Sequence, residues 1–286
     1  ITRNSVDTYL INLERRPDRL SDVSRKMAEL GLPFKIFRAV DGHDDDAKLP
    51  DLNRHLFVIN QKKQPVRGEI ACAASHIAVW RQFLETDEEY ALILEDDIDI
   101  APDLEMVQKQ MPSLGLDFLN LSSNAPYTYT LDEETLSQLA NDAVRTRPTV
   151  FERSRRRLWQ RLEWRRRWRI FHLHPLSNGH VACECDPAPA LTSGYIVSRR
   201  AAEAFLQTTE HLFFPIDLVW RHAPGMLRQG FLARPIVTQT DKDSDIPGRF
   251  DQGKMALKYR LLRPFLKSRR LRRRFDVLRL YGVLRH

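Results

Sequence analysis

Tyr90-Ala91-Leu92-Ile93-Leu94-Glu95-Asp96-Asp97-Ile98-Asp99-Ile100 is the stretch whose reading decides the rest of the chain. An apolar run of strand length feeds straight into four carboxylates in five residues: Glu95, Asp96, Asp97 and Asp99. Anions crowded at a strand end need something cationic to offset their repulsion. Carboxylate oxygens suit the hard cations Mg²⁺ and Mn²⁺, and an ion held by one or two protein carboxylates is usually completed by water and substrate phosphates. The stretch therefore implies a divalent metal and a phosphorylated substrate, with a solvated acidic turn as the plain alternative.

The residues before it fit a β-α-β unit. Asp7-Thr8-Tyr9-Leu10-Ile11-Asn12-Leu13 reads as a strand, and Glu14-Arg15-Arg16-Pro17-Asp18-Arg19 as its terminal loop. Pro17 suits a first helical turn, Leu20, Val23, Met27 and Leu30 recur at helical spacing, and Gly31 supplies the stop. Phe34-Lys35-Ile36-Phe37-Arg38-Ala39-Val40 alternates as a second strand. Ligands of such units gather at the carboxyl ends of the strands, where Arg15, Arg16 and Arg19 sit. A cation at a helix start has the wrong sign for the helix dipole unless an anion lies near.

Residues 43–66 carry charge and prolines with little periodicity and read as a loop. Residues 68–85 form the clearest helix, with Ile70, Ala73, Ala74, Ile77, Trp80 and Leu84 in one stripe and Ser75 and His76 mid-helix. Asp117-Phe118-Leu119-Asn120-Leu121, residues 193–198 and residues 232–240 read as further strands. Phe213-Phe214-Pro215-Ile216-Asp217 sets a single carboxylate in apolar surroundings at a helix start. There it can act as a general base with a raised pKa, or simply as an N-cap.

With 286 residues, 42% of them hydrophobic, the chain can bury a full core. No run approaches the roughly 18 apolar residues needed to span a bilayer, and Ile1-Thr2-Arg3-Asn4-Ser5-Val6 holds no signal-peptide core, although a start without Met also fits a trimmed chain. Cys72, Cys183 and Cys185 are an odd set without CxxC or a Cys/His pair at zinc spacing, which favours a reducing, cytoplasmic compartment.

Five blocks stand in the order and spacing of glycosyltransferase family 25. They are Tyr9-Leu10-Ile11-Asn12-Leu13-Glu14-Arg15-Arg16-Pro17-Asp18-Arg19, Gly68-Glu69-Ile70 with Cys72-Ala73-Ala74-Ser75-His76, Ile93-Leu94-Glu95-Asp96-Asp97, Thr192-Ser193-Gly194-Tyr195, and Pro215-Ile216-Asp217. The chain resembles that family, which includes lipooligosaccharide and collagen galactosyltransferases. The resemblance implies an α/β fold of the GT-A, Rossmann-like type with a mainly parallel sheet, and an inverting transferase that uses a nucleotide-sugar donor. On that resemblance Asn12, Leu13, Arg15, Arg16, Arg19, Ser75, His76, Glu95, Asp96, Ser193 and Gly194 border the donor. Asp97, Asp99, Ser244 and Asp245 hold Mn²⁺ or Mg²⁺, and Asp217 is the base, with Asp245 or Glu184 next in line. Family usage favours Glu95 to Asp97 as the acidic motif, whereas the literal DxD is Asp97-Ile98-Asp99; Asp97 belongs to both.

Two basic segments stand apart. Residues 145–169 hold eleven arginines against two glutamates, interleaved with Trp159, Trp164 and Trp168. Residues 258–286 repeat the theme, with Leu271, Phe275 and Leu278 in one stripe. They suit an anionic membrane surface, core packing, or, less well, nucleic acid.

The expectation is a transferase domain over residues 1–257, with a basic helical insertion at about 141–175, and a basic amphipathic tail over 258–286. It moves a hexose, galactose from UDP-galactose, onto a lipopolysaccharide-type glycolipid at the inner face of the membrane. A protein hydroxyl is the other acceptor, and a basic nucleic-acid-binding protein or metal nuclease is the competing class.

Overall fold

A computed structural model describes residues 6–127, 169–240 and 271–281. The chain runs β1 (Val6–Asn12), α1 (Pro17–Glu29), β2 (Lys35–Arg38), α2 (Arg54–Gln61), α3 (Arg67–Leu84), β3 (Tyr90–Glu95), β4 (Ile98–Ile100), α4 (Leu104–Leu114) and β5 (Phe118–Asn120). It continues through β6 (Arg169–Pro175), β7 (Val181–Asp186), β8 (Gly194–Ser198), α5 (Arg199–Thr209), a 3₁₀ turn (Ile216–Arg221), β9 (Gln229–Leu232), β10 (Val237–Gln239) and α6 (Leu271–Tyr281).

Eight strands form the main sheet in the order β2-β1-β3-β8-β5-β9-β7-β6. The expected β-α-β unit is its first half, with β1 parallel to both β2 and β3. Beyond β3 the sheet is mixed: β8 runs antiparallel to β3 and β5, β5 and β9 are parallel, and β7 and β6 close the edge antiparallel. Because β1 and β3 are parallel, both deliver their carboxyl ends to one edge, and antiparallel β8 starts there.

The apolar run in β3 follows from burial on both faces. Ala91 and Ile93 join Tyr9, Trp80, Phe118, Tyr195, Phe205 and Trp220 on the α3 and α5 side. Leu92 and Leu94 join Leu10, Val23, Met27, Val107 and Met111 on the α1 and α4 side. Small residues let backbone approach in two places. A Cβ on Gly194 would lie 2.8 Å from Val237, and one on Gly42 would lie 3.0 Å from the Gly68 Cα.

Several expectations are corrected. Residues 43–66 are not all loop: α2 occupies Arg54–Gln61, capped by Asn53, whose side chain accepts a hydrogen bond from the Leu56 amide. The expected strand at 232–240 is two, since β9 ends at Leu232 and β10 begins at Val237 in a separate two-stranded sheet with β4. The basic insertion does not stay helical to 175, because Arg169–Pro175 is strand β6; Phe171 there is buried and belongs to no helical stripe. Residues 128–168, with the three tryptophans, lie outside the described residues.

The described part of the expected tail packs on the core. In α6 the residues turned inward are Arg273, Asp276 and Val277, while Phe275 is 57% exposed, so the stripe expected to bury is not the one that does. The Arg273 guanidinium donates to Asp186 at 3.0 Å and to the Leu227 carbonyl. Tyr281 stacks on Phe171 with ring centroids 3.8 Å apart and donates to Glu184.

Glu184, fully buried in β7, also receives two bonds from Arg228 and lies 3.0 Å from His174 Nε2. Burial alone would raise its carboxyl, but the bonds from His174, Arg228 and Tyr281 outweigh it and hold the pKa at about 2, against 4.5 for the free group. The network's contribution is therefore complete above about pH 4.5 and is lost as pH falls towards 2. At pH 7 Glu184→Gln should be less stable by about 3 kcal/mol, with the gap closing between pH 4.5 and 2 in urea titrations. A pH-independent gap would mean that the carboxylate charge is not what the network uses.

Candidate active site

At the shared carboxyl edge of β1 and β3 lies a cleft of about 380 Å³, in the range of small-ligand sites. The end of β3, the start of α1, the loop after β2, the first turns of α3, residues 191–192 and the 3₁₀ turn all contribute to it. Gly42 against Gly68 holds the loop after β2 on the start of α3, and Arg67 fastens it further by donating to the carbonyls of Gly42 and Asp44.

The three consecutive carboxylates do different things. Asp96 is 7% exposed and fully engaged: Oδ2 receives Asn12 Nδ2 at 2.7 Å and the Leu13 amide at 3.2 Å, and Oδ1 receives Arg19 at 3.3 Å. Burial pushes its carboxyl up, and those three partners offset only part of this. Asp96 is also the anion that makes cationic Arg19 acceptable in the first turns of α1. Asp97 bonds Gln239 through Oδ2 at 3.0 Å, while Oδ1 is buried without a hydrogen-bond partner among the described residues. Burial raises its carboxyl, the neighbouring charge of Glu95 raises it further, and Gln239 and Arg19 offset only part. Glu95 Oε1 accepts from Thr192 Oγ1 at 2.6 Å and lies 3.2 Å from His76 Nε2.

A hard cation fits here. An open buried carboxylate oxygen with a second carboxylate beside it is only partly compensated by Arg19, 3.9 Å from Oδ2, and oxygen donors are what Mn²⁺ and Mg²⁺ prefer. Asp97, with Glu95, is the set that would hold one; Asp96 is already committed to protein groups.

Of the expected donor residues, Leu13, Arg15, Arg19, Ser75, His76, Glu95 and Asp96 line the cleft, whereas Asn12, Arg16, Ser193 and Gly194 stand behind or beside it. Ser75 holds the wall, accepting from the Val40 amide and donating to the Ala71 carbonyl. Arg16 pairs with Asp18, and Ser193 is buried with its carbonyl on the Glu95 amide. Asp99 is not brought to the cleft: its side chain is 62% exposed and paired with Lys26. Ser244 and Asp245 lie outside the described residues.

Asp217 lines the cleft from the first turn of the 3₁₀ segment, among buried Phe214, Ile216 and Trp220. It is not the N-cap, a position held by Pro215. Glu184 is no alternative base, being locked in its ion pair away from the cleft.

One association was missed. Cys72 and His76, one turn apart on α3, present ligand atoms that lie with that of Glu95 within 4.8 Å of one another. The expectation of no Cys/His pair at metal spacing is thus corrected; the C-x₃-H spacing on a recognised helix was the available signal, since residues i and i+4 share a face.

A mixed α/β sheet that carries an acidic strand end into a cleft beside a β-α-β unit is consistent with a GT-A-like glycosyltransferase fold. The model of "Glycosyltransferase family 25 (LPS biosynthesis protein)" matches residues 6–220, and the chain belongs to that family. A "Glycosyltransferase 25 family member" of Aedes aegypti is 39% identical over 99 residues, 33% of this chain and 16% of that protein. "Procollagen galactosyltransferase 2" of Homo sapiens is 34% identical over 97 residues, 32% of this chain and 16% of that protein. "Procollagen lysyl hydroxylase and glycosyltransferase" of Acanthamoeba polyphaga mimivirus is 35% identical over 109 residues, 32% of this chain and 12% of that protein. The match thus spans about a sixth or less of these relatives' length.

The two aspartates with charged partners should separate in unfolding titrations. Asp96→Ala strands buried Arg19 and should cost about 3–5 kcal/mol. Asp99→Ala, which loses a largely exposed pair with Lys26, should cost at most about 1 kcal/mol. Equal costs would remove Asp96 from its central place.

Proposed function

We propose that the chain catalyses metal-dependent transfer of a hexose from a nucleoside-diphosphate sugar, UDP-galactose, to an acceptor hydroxyl with inversion at the sugar carbon. The observation that carries this reading is Asp97: a carboxylate with one buried oxygen open, beside Glu95, in a cleft that also holds arginines and a separate carboxylate. Asp97 and Glu95 would hold Mn²⁺ or Mg²⁺, which when bound would neutralise the charge of a departing diphosphate. Arg15, tied to Asp41 at 2.7 Å, adds a cation for the phosphates. Asp217 takes the proton of the attacking hydroxyl; inversion needs one base and no covalent intermediate. His76 and Thr192 hold Glu95 in place.

The family's description supports a lipopolysaccharide-type glycan as acceptor, and galactose follows the names of relatives. Those same names favour a second acceptor, the hydroxyl of a collagen-like protein. No described helix is long and apolar enough to cross a membrane. Contact with an anionic membrane surface rests on the charge of residues 145–168 and 258–270, which lie outside the described residues. A metal nuclease would use the same carboxylates, and ligand binding separates the two: UDP with Mn²⁺ raises the melting temperature of the transferase only.

Asp97→Asn should abolish Mn²⁺-dependent UDP binding in calorimetry while leaving the fold intact, because charge is lost with little change of shape. Undiminished binding would remove the metal assignment. Asp217→Asn should lower single-turnover transfer from saturating UDP-galactose by about 10²- to 10⁴-fold, with donor affinity nearly unchanged. Unchanged turnover would leave Asp217 a structural residue.

A further inference from the structure

Cys72, His76 and Glu95 form a group that goes beyond what the transfer reaction uses, which is Glu95 with His76 behind it and no thiol. Their potential ligand atoms lie within 4.8 Å of one another in the cleft wall, Cys72 and His76 from successive turns of α3 and Glu95 from the end of β3. The His76 ring is completely buried, with Nδ1 2.8 Å from Tyr195 Oη and Nε2 turned towards Glu95. Tyr195 is fixed in turn by a 2.9 Å bond from Trp80 Nε1. An outer partner on one imidazole nitrogen, with the other nitrogen facing a thiol and a carboxylate, is the arrangement by which proteins orient a metal-binding histidine.

We infer that Cys72, His76 and Glu95 constitute a second cation site, selective for a thiophilic ion such as Zn²⁺ and distinct in chemistry from the oxygen-ligand site at Asp97. One sulfur, one nitrogen and one oxygen donor match three-ligand zinc, which leaves a fourth position open to the cleft. Zinc ligands at about 2.0–2.3 Å stand roughly 3.5 Å apart, a rotamer adjustment from the positions seen. The thiol proton leaves to solvent on binding, and the Tyr195 hydroxyl can accept a hydrogen bond from Nδ1–H while Nε2 presents its lone pair. Mn²⁺ and Mg²⁺ prefer oxygen donors and leave this site empty. Since the ion takes Glu95 away from Asp97, Zn²⁺ inhibits transfer; only that consequence rests on the proposed function, and the site itself does not.

The test uses the full chain and two readouts independent of activity. In equilibrium dialysis with Zn²⁺ against excess Mn²⁺, the wild type should retain one Zn²⁺ per chain. Cys72→Ser and His76→Gln should each weaken binding by at least about 100-fold, no less than the loss of an outer partner costs. On the wild type alone, Co²⁺ should give a thiolate charge-transfer band, and Zn²⁺ should protect Cys72 from iodoacetamide, located by peptide mass; this arm decides if a variant does not fold. Zinc held equally by Cys72→Ser, no zinc retained, or alkylation of Cys72 indifferent to zinc would each overturn the site. Zinc binding with no transfer activity under any condition would sink the proposed function and leave the site standing.

Discussion

The buried pair between Arg19 and Asp96 is the constraint on which the site depends. It joins the first turns of α1 to the end of β3, and through Asn12 and the Leu13 amide the same carboxylate gathers the end of β1. Three elements distant in sequence meet on one side chain. Replacing either charge takes from the other its close partner in a low-dielectric place, which is costly even though Arg19 also lies 3.9 Å from Asp97. Its chemical effect is indirect: with Asp96 saturated by protein donors, the next residue projects into the cleft with an oxygen to spare. The acidic run thus divides into an anchor, Asp96, and a residue that turns an open oxygen towards the cleft, Asp97.

The same logic explains what could be read from the sequence. The β-α-β unit and α3 were legible because their apolar residues repeat at the period of one element and both faces of β3 are covered. Helix α2 was not, since Phe57-Val58-Ile59 resembles strand or loop; Asn53 was the overlooked cap. Strand β6 was obscured by arginines just before it, although Ile170 to His174 alternates. Asp97-Ile98-Asp99 spells a metal motif, but the bend between β3 and β4 parts the two aspartates and leaves Asp99 with Lys26. That separation is set by tertiary geometry, which no spacing rule encodes. Glu95, Asp96, Asp97 and Asp217 could be picked out by residue type and place at a strand end or turn, and the fold brings all four to the cleft. Association of Cys72 and His76 with Glu95 needed the packing of α3 on β3.

Helix α6 shows that a basic segment need not face outward. Its inward face is polar rather than greasy, with Arg273 and Tyr281 meeting Asp186 and Glu184 on β7. Charge density in the sequence pointed towards a surface, but two buried carboxylates on β7 needed cations and donors, and α6 provides them. The outer face keeps Phe275 exposed, so docking on the core does not use up the apolar residues of the segment.

The glycine contact between residues 42 and 68 bears on how such a cleft could diversify. Its width along that wall is set by backbone against backbone, with 3.0 Å to any added Cβ, and so cannot be adjusted by exchanging side chains. Descendants of this sequence that took up a ligand of another shape would have to alter the other walls, at Leu191 and Thr192 or around Ile216, while one side of the site stayed an inherited, inflexible edge.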